Sequence, residues 1–101
     1  MLTLINEFTV TGDVDEFERV LGEFNQYMSG QPGAGGYRLL RSTRRPNVFV
    51  ELADWADAEA HQAAVRSEGF GPLVARLRPL VEKSIPDLYA TVREQQTVTT
   101  G

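Results

Sequence analysis

The chain has 101 residues, 42% of them hydrophobic and 24% charged, with a formal net charge of -4 and no cysteine. That length suits one domain with one modest core. The acidic balance argues against nucleic acid as a partner, since phosphate binding calls for a basic surface. The absence of cysteine removes disulfides, zinc–thiolate sites and iron–sulfur clusters ligated by cysteine. No apolar run is long enough to span a membrane, and the N-terminus lacks a basic-then-apolar leader, so a cytoplasmic domain is the expectation.

The first predicted element is a strand, Leu2–Val10. Alternation puts Leu2, Leu4, Asn6, Phe8 and Val10 on one face and Thr3, Ile5, Glu7 and Thr9 on the other. Asn6 is the anomaly, because an amide on an apolar face is costly unless something hydrogen-bonds it. Thr11-Gly12 makes the turn. Asp13 and Glu16 have capping-box spacing ahead of a helix whose apolar stripe is Val14, Phe17, Val20, Leu21, Phe24, Tyr27 and Met28. Gly30 and Gln31-Pro32-Gly33 end it.

Tyr37 to Ser42 reads as a second strand, Arg44 to Asn47 as a hairpin loop, and Val48 to Asp54 as a third strand with Trp55 at its end. Ala56 to Arg66 reads as a second helix, broken by Gly69-Phe70-Gly71. Pro72 suits the first turn of a third helix through Leu73, Val74 and Leu77 towards Val81, which Pro79 should kink or shorten. Pro86 precedes a last predicted strand, Leu88 to Arg93. The tail from Glu94 is polar and expected to be mobile, which gives a domain over residues 1–94 and a tail over 95–101.

The order β-α-β-β-α-α-β predicts an α+β fold, the ferredoxin-like split βαβ, with a four-stranded antiparallel sheet and its helices on one face. Apolar residues on both faces of the third strand (Val48, Val50 and Leu52 against Phe49, Ala53 and Trp55) leave a spare sheet face. A second copy packing sheet to sheet would bury it, so a homodimer is expected.

A small-molecule cavity between sheet and helices would draw its polar groups from Asn6, Trp55, His61 and an arginine of the third helix. Arg76 and Arg78 flank opposite edges of that helix's apolar stripe, and periodicity does not choose between them. Phe8, Phe24, Tyr27, Phe70 and Val74 are the apolar residues expected to bind substrate. One histidine cannot build a multi-histidine metal site, and no carboxylate–histidine spacing replaces it, so no metal is expected. Gly33 to Gly36 follow a helix and precede a strand, the reverse of a dinucleotide fingerprint.

The segments Ile5-Asn6-Glu7-Phe8-Thr9-Val10, Gln31-Pro32-Gly33, Tyr37 to Ser42, Ala53-Asp54-Trp55 and Gly69-Phe70-Gly71-Pro72 together resemble the antibiotic biosynthesis monooxygenase domain family. The nearest likeness is to cofactor-independent anthrone oxygenases of actinobacterial aromatic polyketide pathways, over about residues 3–94. The resemblance implies a dimeric α+β barrel that oxidises an anthrone to a quinone with molecular oxygen and no cofactor. It implies pocket roles for Asn6, Trp55 and Arg78, the arginine chosen by its interval after Gly-Phe-x-Pro. His61 stands where some members carry a tyrosine proposed for proton transfer, which makes it a candidate base. Glu51 stands where some members have an asparagine four residues before the tryptophan. The haem-degrading branch usually has a histidine where this chain reads Gly71-Pro72-Leu73-Val74, so haem degradation is not expected. A polyketide cyclase on the same barrel and a non-catalytic ligand-binding or stress-response domain are the alternatives.

Overall fold

Strand β1 (Leu2–Val10) is the centre of the sheet, with antiparallel neighbours on both sides. The computed structural model describes residues 1–95. After β1 come α1 (Val14–Ser29), β2 (Ala34–Arg41), β3 (Val48–Trp55), α2 (Ala58–Val65), α3 (Phe70–Leu77), a 3-10 turn (Arg78–Leu80) and β4 (Val81–Ala90). The sheet order is β2-β3-β1-β4 with every pair antiparallel, the ferredoxin-like α+β arrangement.

Local chemistry explains most boundaries. The Asp13 carboxylate accepts from the Asp15 N–H and starts α1, and Asp15 and Glu16 sit where the helix dipole favours acids. The reciprocal half of the expected capping box does not form, because Glu16 pairs with Arg19 instead. Asp57 caps α2 by accepting from the Ala60 N–H, so that helix begins at Ala58, two residues after the expected start at Ala56. Pro79 does shorten the third helix, which gives way to the 3-10 turn after Leu77.

The last strand differs from expectation. It starts at Val81 and ends at Ala90, seven residues before the predicted start at Leu88 and three before the predicted end at Arg93. Pro86 lies inside it, opposite Asn6. An edge strand tolerates proline because one side of its backbone has no partner to serve, and β4 is an edge. The second strand begins at Ala34 rather than Tyr37, with an irregularity between those two residues. Residues 96–101, most of the predicted tail, lie outside the described residues.

Two apolar clusters fill the space between sheet and helices. The first joins Phe8, Val10 and Phe49 of the sheet to Phe17, Val20 and Leu21 of α1. In it Phe8 meets Phe17 edge-to-face at 5.3 Å, and Phe17 packs tilted on Phe49 at 5.1 Å, between centroids. The second holds Met28, Trp55 and Ala64, with Leu4, Tyr27 and Phe70 packed against it. Gly33 fixes one end of the second cluster. Its φ is +84°, and an added Cβ would lie 2.5 Å from the Ala60 Cβ, so the chain entering β2 passes directly against α2. The Gly33 carbonyl accepts from the Ala56 N–H at 2.8 Å, pinning the segment that follows Trp55.

Among the described residues, no helix covers the opposite sheet face. Leu40 of β2 is 41% exposed and Ile85 of β4 is 51% exposed.

Candidate active site

Where the two clusters part, they leave a cavity of about 240 Å3 between sheet and helices. Its floor is the helix-facing side of the sheet: Leu4, Asn6 and Phe8 from β1, and Glu51 from β3. The register sets Asn6 directly opposite Glu51. Phe24 and Met28 of α1 form one wall; His61 and Val65 of α2 with Phe70, Val74 and Leu77 of α3 form the other. Exposed residues Ser84 and Pro86 of β4 stand at its mouth. The walls are almost wholly apolar, with few polar groups converging on them, which is the usual make-up of a small-molecule site.

Asn6 is half-buried, and the Ser84 hydroxyl donates to its Oδ1 at 3.0 Å. That bond occupies the acceptor end of the amide and leaves the NH2 end to donate. Ser84 reaches Asn6 only because β4 begins early, so this partner was hidden by the late placement of the strand.

Trp55 is 3% exposed and its indole Nε1 has no hydrogen-bond partner. A buried N–H of this kind ordinarily finds one. The indole lies in a narrower cleft of about 30 Å3 beside the main cavity, which it shares with Glu51, Asn25 and Met28. His61 meets the indole edge-on with ring centroids 5.5 Å apart. Burial lowers the His61 pKa below its usual 6.5, since taking the imidazolium out of water disfavours the charged form.

Glu51 is the group that sequence reasoning noticed but did not place in the site. It is 2% exposed, and its Oε2 has no hydrogen-bond partner. Burial raises its carboxyl pKa to about 7, while a hydrogen bond from the buried Asn25 amide pulls the other way. The signal was available. Glu51 shares strand parity with Phe49, Ala53 and Trp55, and Asn25 sits four residues after Leu21 on the apolar side of α1.

Of the other expected site residues, Phe8, Phe24, Phe70 and Val74 line the cavity, and the Phe24 and Phe70 rings pack at 5.6 Å. Tyr27 is turned to a structural task. Its hydroxyl donates to Ser67 Oγ at 2.6 Å and accepts from the Gly69 N–H at 3.1 Å, clasping the α2–α3 turn to α1. Neither arginine of the third helix reaches the cavity. Arg76 is tied to Glu23 at 2.8 Å on the surface, bridging α3 to α1. Arg78 is exposed on the 3-10 turn. The Arg78 backbone is still helical, its N–H donating to the Val74 carbonyl, and the side chain lies on the solvent side of that turn. Among the described residues, no group of three or more His, Asp or Glu side chains could hold a metal ion, and no helix is long and apolar enough to cross a membrane.

This architecture has known counterparts. The family model for antibiotic biosynthesis monooxygenase matches residues 1–76. Deoxynogalonate monooxygenase of Streptomyces nogalater is 37% identical over 79 residues, covering 78% of this chain and 67% of that protein. The crystal structure of SnoaB, a cofactor-independent oxygenase from the same organism, superposes with a TM-score of 0.86 at 33% identity, over 98% of this chain and 97% of that one. A mutant form of SnoaB gives a TM-score of 0.88 at 33% identity, over 92% and 94%.

Proposed function

The chain belongs to the antibiotic biosynthesis monooxygenase family, and from that premise we propose that it oxidises a polycyclic aromatic polyketide of the anthrone type to a quinone, using molecular oxygen and no cofactor. The observation that carries this reading is the cavity itself: an apolar slot with Phe8, Phe24 and Phe70 in its walls, and Asn6, Trp55 and Glu51 at or beside its sheet floor. Its similarity to SnoaB, a cofactor-independent oxygenase, supports the same chemistry.

The substrate class suits such a site. An anthrone is a carbon acid whose delocalised enolate can itself pass electrons to oxygen, so the hard chemistry resides in the substrate. The protein has to bind a flat ring system, help the C–H ionise and stabilise oxygen anions away from water. The Asn6 NH2 group and the unpartnered Trp55 N–H are donors suited to an enolate or peroxide oxygen. His61, against the indole, is a candidate for moving a proton. Arg78, exposed on the 3-10 turn, does not line the cavity of this protomer. The uncovered sheet face, with Leu40 and Ile85 on it, supports a homodimer formed sheet to sheet.

Metal-free protein should accelerate oxygen uptake with the anthrone dithranol and yield the quinone. A rate no faster than buffer would reject this substrate class. Anaerobic turnover with no change in oxidation level would favour a cyclase.

A further inference from the structure

We propose that Glu51 is the catalytic base of this cavity: its carboxylate takes the acidic C–H proton from the bound aromatic substrate and delivers it to the oxygen anion formed next. The proposal deepens the oxygenase reading and rests on it.

Placement is the first support. Glu51 faces the helices from the middle of β3, directly across from Asn6, and lines both the main cavity and the cleft that holds the indole. A substrate whose oxygen accepts from Asn6 would therefore lie over Glu51 as well.

Second, the carboxyl has no structural task that explains it. Among the described residues, one oxygen has no hydrogen-bond partner and no cation pairs with the carboxylate. Buried carboxylates are normally paired or fully hydrogen-bonded, and an unpaired one is costly.

Third, few other groups could serve. Facing Glu51, α1 presents Asn25, β1 presents Asn6 and β3 presents Trp55, none of which titrates near neutrality. The β2 neighbour across the strand is Leu39, with Tyr37 further along the side cleft. From α3 come Phe70, Val74 and Leu77, and from β4 Ser84 and Pro86, all uncharged. Asp54 of β3 also borders the side cleft, but it belongs to the other strand face, where its Oδ1 accepts from the Thr3 hydroxyl at 2.8 Å. Among the described residues that leaves His61 of α2 as the competitor. It is less buried than Glu51 and lies against the indole on the helix wall, whereas Glu51 lies in the sheet floor opposite Asn6. The carboxyl pKa of about 7 is that of an effective base at neutral pH.

The chemistry balances without any other reductant. Glu51 removes one proton from the methylene carbon, leaving the enolate. The enolate passes one electron to molecular oxygen, and the resulting radical pair forms a C–O bond. The peroxide anion takes back the proton from Glu51. Loss of the second C–H proton to Glu51 and cleavage of the O–O bond then give the ketone and hydroxide, which the protonated Glu51 converts to water. Methylene and oxygen become carbonyl and water, and the carboxylate is restored.

Two assays with dithranol test this. Anaerobic exchange of its methylene hydrogens in D2O reads proton removal alone, and oxygen uptake reads the complete reaction. Glu51→Gln should lower both by roughly 100- to 10,000-fold and remove the rise of kcat/KM around neutral pH. Glu51→Asp should restore part of the rate. Circular dichroism melts of each variant confirm the fold. Exchange by Glu51→Gln within about threefold of wild type would overturn the proposal while leaving the oxygenase reading intact. So would a pH rise that survives Glu51→Gln and disappears in His61→Asn, which would make the histidine the base. Wild-type exchange that depends on Glu51, without oxygen uptake, would uphold the base and reject the oxygenase reading. Neither exchange nor uptake by wild-type protein would overturn both.

Discussion

Replacing Glu51 by Gln should stabilise the protein in a way that depends on pH. In the folded chain the carboxyl pKa is about 7, against an ordinary 4.5. Between those values the folded state keeps a proton that the unfolded chain has released. Stability therefore falls as pH rises through this window, and the full penalty is present above about pH 7. At roughly 1.4 kcal/mol per pH unit the difference comes to about 3 kcal/mol. Glutamine has nearly the same shape and no charge, so it carries no such penalty. Urea unfolding of wild type and Glu51→Gln, at one protein concentration and at several values between about pH 4.5 and 8.5, reads the effect as a difference. Other titrating groups, His61 among them, cancel in that difference. The gap should be smallest at the acid end, grow by about 3 kcal/mol and level off above neutrality. A gap that stays constant across the range would mean that Glu51 is not ionising in a desolvated place, and the reasoning would fail.

Trp55→Phe keeps a ring but loses the unpartnered N–H. Oxygen uptake should fall by roughly 10- to 100-fold, while urea unfolding shows a loss of only about 1 kcal/mol from reduced ring volume. Tyr27→Phe should cost about 1–3 kcal/mol in a thermal or urea melt, because the Gly69 N–H loses its acceptor and Ser67 Oγ, which still bonds the Ala64 carbonyl, loses a donor. Its kcat should stay near wild type; a loss matching that of Trp55→Phe would make the phenol a substrate contact. Gly33→Ala puts a side chain at positive φ and against Ala60, and should destabilise by about 1–3 kcal/mol in the same melts. Leu40→Asp should shift the mass measured by sedimentation from two copies to one, and an unchanged mass would remove the sheet-to-sheet dimer.

Much of the fold was legible because it is written in short-range patterns. The alternation in β1 separates Asn6 and Phe8 from Ile5 and Glu7. The stripe of Phe17, Val20, Leu21, Phe24 and Met28 specifies α1, and the kink expected at Pro79 is where α3 stops. Boundaries set by tertiary context were less legible. Pro86 suggests a strand start when read locally, yet an edge position lets β4 run through it from Val81. Arg76 and Arg78 looked equivalent along the helix. Glu23, brought alongside α3 by packing, claims Arg76, and Arg78 lies exposed on the last turn.

The sequence by itself determined that Asn6 shares a strand face with Leu4 and Phe8 and that Glu51 has the parity of Phe49 and Trp55, because alternation along a strand is a property of the backbone. It did not say which face of β3 the helices cover. Tertiary structure alone decided that Asn6 and Glu51 face each other across β1 and β3, that Asn25 of α1 reaches the carboxyl, and that no cation does. Such neighbours are far apart in the chain. The pairing register and the packing of helices on the sheet bring them together, and the water excluded there raises the Glu51 pKa to about 7.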